Sequence, residues 1–333
     1  MQAVLSGYES FMSWNYALPP VGIEKSEGSF REILGALLKP LTVLGGRRRW
    51  RSRLLADILS RATLSFSTRH KIAVLFKDPV LAEAVRNHPR LPFKYLARSY
   101  LIRDLPISAR AACLSHHYER LRSILPVWLL RQALLEEITL VALHEDGLHF
   151  AVKMSLSQPY DTEGELSLNL VMDGKVIYVM GFSIVPGWVA KSTAKDIFLV
   201  ARLQGTKGFQ QELSRATRSL CQVGPTQLLM AALEGMASAL GIEVLASISG
   251  VKQISYDEKY AESFRRSYDD FFNQRGIPLS EDGFFVTQLP LREKSMVEIK
   301  RGHKIRTREK RAFRQEVQKA CADFFVKNGI PAA

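Results

Sequence analysis

The chain has 333 residues, 47% of them hydrophobic, which is enough for about two domains with packed cores and too apolar for wholesale disorder. The 46 Lys and Arg against 33 Asp and Glu leave +13, a field that attracts nucleic acid, anionic lipid, an acidic carrier protein or a phosphorylated cofactor. Cys113, Cys221 and Cys321 lack the paired spacing of a zinc site or a disulfide framework, and no stretch approaches the roughly 20 apolar residues of a membrane span. The first twenty residues show no basic start followed by an apolar core, so the expected compartment is the cytosol, with peripheral contact to an anionic membrane as an expected variant.

Residues 1–30 mix Gly, Ser, Pro and aromatics without a sustained period and are read as an irregular arm. Residues 31–136 repeat apolar positions three or four apart in FREILGALLKPL (starting at Phe30), WRSRLLADILSRAT, PVLAEAVRNHPRL and ISARAACLSHHYERLRSIL, the pattern of a helical domain punctuated by prolines. From about Glu137 the period changes to two. Two hairpins are expected, one turning at Asp146-Gly147 and one at Asp173-Gly174, since Asp-Gly between alternating runs is a strong hairpin signal.

After Trp188 the order is strand (IFLVARLQG), helix (GFQQELSRATRSL), helix (TQLLMAALEGMASALG) and strand (IEVLASIS), the sequence of a parallel crossover. A helix over 256–273, a strand in GFFVTQLPL and a basic helix in HKIRTREKRAFRQEVQKACADFF complete the chain. The expected class is α/β in the α+β sense. A helical N-terminal domain (31–136) precedes a mixed sheet flanked by helices (137–299), and the basic helix (300–333) packs on that sheet domain.

The segment IFLVARLQGTKGFQQEL carries the clearest chemistry. A strand ends in Arg202, Gln204, Gly205, Thr206, Lys207 and Gly208, and a helix begins at once. Glycines there let backbone N–H groups turn towards an anion, the helix N-terminus adds about half a positive charge, and Lys207 can pair with a phosphate. An ordinary strand-to-helix turn uses the same residue types. The absence of GxxxxGK[ST] argues against a nucleoside triphosphatase loop.

Glu163 and Glu165 in YDTEGELSL are candidates to take a proton from an attacking amine or hydroxyl, and solvated turn carboxylates are the plain alternative. His117, beside His116, is a candidate base if it faces a cleft. Adjacent helix positions diverge, so the two histidines do not form one metal site, and no metal is expected. Neither a GxSxG elbow nor a Cys-His or Ser-His pairing is evident, which favours direct transfer over a covalent enzyme intermediate.

Two basic runs, Arg47, Arg48, Arg49 and Arg51 with Trp50, and the stretch 300–314 with Arg311, Phe313 and Arg314, are candidate contacts for phosphates, or else solvated faces.

Arg202-Leu-Gln-Gly205-Thr-Lys-Gly208 is similar to the coenzyme A pyrophosphate loop of GNAT acyltransferases, with one extra residue before the last glycine. SYDDFFNQRGI followed by DGFFVTQL stands where those proteins carry a tyrosine-containing segment. That resemblance implies a GNAT-like sheet, acyl-coenzyme A or an acyl or aminoacyl carrier (acyl carrier protein or aminoacyl-tRNA) as donor, and Tyr268 as a general acid.

More specifically, the chain resembles the VirK/YbjX family of bacterial proteins from about residue 35 to 325. The likeness is carried by His117-Tyr118, Glu163-Gly164-Glu165-Leu166, Arg202-Leu203-Gln204-Gly205, residues 228–242, Tyr268-Asp269-x-Phe271 and Lys310-Arg311-x-Phe313-Arg314. Members of that family usually carry Arg-Pro-Lys where this chain has Gly224-Pro225-Thr226, and a histidine near Lys252-Gln253.

The expected function is direct acyl or aminoacyl transfer from a thioester or carrier to an amine or hydroxyl. The alternative is a non-catalytic protein that binds nucleic acid or anionic lipid, linked to envelope stress or virulence.

Overall fold

The computed structural model describes residues 66–97, 99–157 and 162–330. The expected arm, the helices predicted within residues 30–63 and the run Arg47 to Arg51 lie outside the described residues. The described residues belong to one compact unit, Leu54–Ala333.

Among the described residues four helices come first: α1 (Phe66–Leu75), α2 (Pro79–Asn87), α3 (Ile107–Ile124) and α4 (Val127–Leu135). Asp78 caps α2, accepting hydrogen bonds from the backbone of Val80 at 3.0 Å and Leu81 at 3.4 Å, with Pro79 in the first turn, where a missing N–H does no harm. A 3₁₀ turn, Leu91–Leu96, and an isolated bridge between Tyr100 and Ile102 precede α3.

Both predicted hairpins form. Strands β1 (Glu137–Glu145) and β2 (Leu148–Leu156) turn at Asp146-Gly147, and β3 (Leu166–Met172) and β4 (Lys175–Pro186) turn at Asp173-Gly174. All four turn residues have positive φ, the conformation of the tight primed turns that asparagine, aspartate and glycine tolerate. Strand β3 is buried at every position, so both of its faces are covered.

Strand β5 (Asp196–Gly205), helices α5 (Gln210–Ser219) and α6 (Pro225–Leu240) and strand β6 (Val244–Ile248) make the crossover expected from the sequence. The helix expected over 256–273 is instead broken. A short α7 (Ala261–Phe264) runs into a π-helical turn, Arg265–Asp269, and then a short α8 (Asp270–Asn273). Strand β7 (Phe284–Gln288) and the basic helix α9 (Lys304–Lys327) complete the fold.

The seven strands lie in sequence order. All neighbours are antiparallel except β5 and β6, which are parallel. Helix α9 packs along α6, and side chains from α3, α6 and α9, among them Leu121, Met236 and Phe325, meet Met154, Leu166, Phe182 and Phe198 of the sheet in one apolar core. The chain is thus a mixed α/β fold with a seven-stranded mixed sheet.

Candidate active site

Strands β5 and β6 pair over only three positions, Phe198 with Leu245, Leu199 with Ala246 and Val200 with Ser247. On its other side β5 carries a bulge. Gly181 of β4 faces Arg202 while Phe182 faces Val200, so Ala201 is the extra residue. A bulge bends its strand and re-aims the side chains beyond it. Arg202, Leu203 and Gln204 therefore lie past the end of the paired stretch, at the carboxyl ends of two parallel strands, where open α/β sheets bind ligands.

Tyr268 is carried to this place by the π turn, whose one-residue excess relative to an α-helix is a device recurrent at functional sites. Its side chain is 3% exposed, its ring stacks on Phe264 at 6.2 Å, and the backbone N–H of Leu203 faces its hydroxyl. Burial, and secondarily the charge of Glu163, pushes the hydroxyl well above its ordinary range, so it stays protonated. The next residue, Asp269, accepts a hydrogen bond at 2.7 Å from the backbone of Gly250 and so ties down the loop that leaves β6.

Glu163 reaches the same place from a strap, residues 162–165, laid over β4. A Cβ on Gly164 would come within 2.7 Å of the Phe182 nitrogen, and one on Gly181 within 2.6 Å of the Glu163 carbonyl oxygen, so this crossing requires glycine on both sides. The Glu163 carboxylate lies 3.5 Å from Arg202 Nε and accepts a hydrogen bond from the amide of Gln253, whose own oxygen accepts from Ser255 N.

Glu165 has a different fate. It is fully buried, with Lys94 Nζ at 3.0 Å and hydrogen bonds from Tyr100 at 2.8 Å and Tyr118 at 2.5 Å. Its oxygens are committed to this network, away from the end of β5.

His117 is also fully buried. Its Nδ1 accepts from the Ile184 backbone at 3.0 Å, and burial, with Lys94 and His116 adding to it, drives its pKa down to about 3. It is a neutral structural acceptor, and its Nε2 has no hydrogen-bond partner among the described residues. His116 points elsewhere, to Asp196 at 2.8 Å.

The loop after β5 leads into α5 as the sequence predicts. Gly205 sits where a Cβ would come within 2.9 Å of Leu213, Thr206 N donates to the Ile177 carbonyl at 2.9 Å, and Gly208 has φ +87°. Lys207 and Gly208 are exposed, and Phe209, at the N-cap of α5, makes no side-chain cap. Gly205 is paired across the sheet with Tyr178, whose hydroxyl meets Thr226 at 2.8 Å in the first turn of α6. No motif read from the sequence marks Tyr178, and Thr226 enters there only as a departure from the resembling family's Arg-Pro-Lys.

Residues 47–323 match the family model described as Protein of unknown function (DUF535). The chain belongs to this family. It is the family that includes VirK/YbjX, so the resemblance read from the sequence stands at that level. No curated protein and no solved structure matches the DUF535 chain.

In this DUF535 chain the predicted donor-loop residues, Glu163 and Tyr268 gather around the end of β5, while Glu165 and His117 belong to the interior. Arg311 and Arg314 both pair with Glu293, and Phe313 is buried, so it is not available for stacking on a base. No helix among the described residues is long and apolar enough to cross a membrane.

Proposed function

We propose that this DUF535 protein transfers an acyl or aminoacyl group directly from a thioester or carrier donor to an amine or hydroxyl. The observation that carries the reading is the placement of Glu163, Tyr268 and the loop 205–208 around the end of β5, beyond its last paired residue with β6. Strand order, one parallel pair and a bulged fifth strand leading into a glycine-bearing loop support a GNAT-like arrangement of this half.

In that arrangement the exposed Lys207 and the uncapped start of α5 bind the phosphates of a coenzyme A or carrier donor. The acceptor lone pair adds to the thioester carbonyl carbon as Glu163 takes the acceptor's proton, and backbone N–H groups of β5 meet the developing oxyanion. Collapse reforms the carbonyl and breaks the C–S bond. The thiolate leaves with the Tyr268 proton, and the proton held on Glu163 returns to Tyr268 through solvent, so the net change is thioester plus acceptor to acylated acceptor plus thiol.

A second reading, contact with an anionic lipid surface, is favoured by one patch. Val297 is 86% and Ile305 74% exposed, amid exposed Lys300, Arg301, Arg306 and Arg308. Aliphatic side chains beside cations suit a lipid interface better than nucleic acid.

Thermal-shift titration of the full chain against acetyl-, medium-chain and long-chain acyl-coenzyme A, acyl carrier protein and transfer RNA tests the first reading. Stabilisation by a thioester that Lys207→Glu abolishes is the expected result. Stabilisation by polyanions alone, screened by salt, overturns it.

A further inference from the structure

Three elements distant in sequence converge on the strap. Lys94 comes from the 3₁₀ turn Leu91–Leu96, Tyr100 from the isolated bridge after it, and Tyr118 from α3. All three donate to the Glu165 carboxylate, and Lys94 Nζ has a second bond, at 2.8 Å, to the carbonyl oxygen of Gly164. The backbone is held as well: Leu101 N donates to the Thr162 carbonyl at 2.7 Å, and Glu165 N is within 3.1 Å of the Phe182 carbonyl and 3.0 Å of Ser183 Oγ. Residues 162, 164 and 165 are therefore gripped from outside the strap, and Glu163 is the side chain that leaves it for Arg202 and Gln253.

We propose that Lys94, Tyr100 and Tyr118 are positioning residues whose network with Glu165 and the Gly164 carbonyl fixes where the Glu163 carboxylate stands at the end of β5. The inference rests on the reading of Glu163 as the proton acceptor, which it deepens.

The geometry favours positioning over plain stabilisation. A buried ion pair is often replaceable by apolar side chains of similar volume without loss of stability, because desolvation offsets the attraction. An apolar substitute has no directed bond to the Gly164 carbonyl, and that bond orients the Gly164–Glu165 peptide, one residue beyond Glu163. Burial keeps both tyrosine hydroxyls protonated, with the Glu165 charge adding to the effect, so they donate at every working pH.

The test follows the Glu163 carboxyl resonance through a pH titration of the full chain labelled with carboxyl-¹³C glutamate, the signal being assigned by its loss in Glu163→Gln. In the Tyr100→Phe/Tyr118→Phe pair, which keeps both rings, the Glu163 midpoint is expected to move by about half a pH unit or more. Lys94→Met should move it further and Lys94→Arg should restore part of the change, while Val152→Ala, which loosens the core elsewhere, should leave it in place. An unchanged midpoint in the folded tyrosine pair overturns the inference, even if Lys94→Met fails to fold. A moved midpoint in a protein that binds no thioester keeps the positioning network and removes the transferase.

Discussion

Glu163 and Glu165 are separated by a single glycine, yet the first carboxylate lies 3.5 Å from Arg202 at the end of β5 and the second 3.0 Å from Lys94 in the interior. The amide substitutions should therefore separate cleanly. Glu163→Gln is expected to keep stability within about 1 kcal/mol while lowering transfer. Glu165→Gln leaves Lys94 buried without its counter-charge, and urea denaturation should read a loss of about 3 kcal/mol.

The crossing of strap and sheet can be tested by adding one carbon. Gly181→Ala places a methyl 2.6 Å from the Glu163 carbonyl and 3.0 Å from Arg202 Cβ, contacts that backbone and strand cannot relieve without shifting. A loss of about 1–3 kcal/mol is expected. At Gly302 a Cβ meets nothing within 4 Å, and Gly302→Ala should stay within about 0.5 kcal/mol.

His117 gives the fold an acid-sensitive component. Its folded pKa, about 3, lies below that of an unfolded histidine, so the unfolded chain binds the extra proton. Its contribution is complete above about pH 6.5 and declines as pH falls towards the folded value, by about 2 kcal/mol between pH 6.5 and 5. His117→Asn has no such titration, and its stability measured over that range should fall less steeply than the wild type's.

Tyr268 is expected to matter for the departing thiolate and not for holding the donor. Tyr268→Phe should retain the thioester-induced thermal shift and lower turnover by a factor of about 10² or more. Loss of the shift together with turnover would place the hydroxyl in binding instead.

The two halves of the basic C-terminal region should behave differently towards vesicles containing anionic lipid. Arg311 and Arg314 are committed to Glu293, whereas Arg306 and Arg308 are exposed. The double change Arg306→Ala/Arg308→Ala is expected to cost about 2 kcal/mol of binding in a sedimentation assay. Arg311→Ala should change it little.

The hairpins, the crossover β5–α5–α6–β6 and helix α9 were legible because each is written in a few neighbouring residues: Asp-Gly between alternating runs, glycines between a strand and a helix, and apolar positions three or four apart. The break in the helix expected over 256–273 was not. Its apolar spacing fits an α-helix, and the π turn appears only once Tyr268 must lie against Leu203 and Asp269 must bind Gly250.

The sequence by itself determined the family, the mixed α/β class and the site's raw materials, namely a glycine-bearing loop with Lys207, a tyrosine at 268 and two carboxylates one residue apart. Only the tertiary structure decided which carboxylate reaches the end of β5, that His117 is a buried acceptor and that Arg311 and Arg314 are already paired. The reason is the range of the interactions. Local pattern depends on residues within a turn or two of one another. The environment of Glu163 and Glu165 depends on Gln253, 90 residues away from the first, and on Tyr100, 65 residues away from the second. Burial, charge pairing and proton affinity are set by such distant neighbours, which no spacing along the chain records.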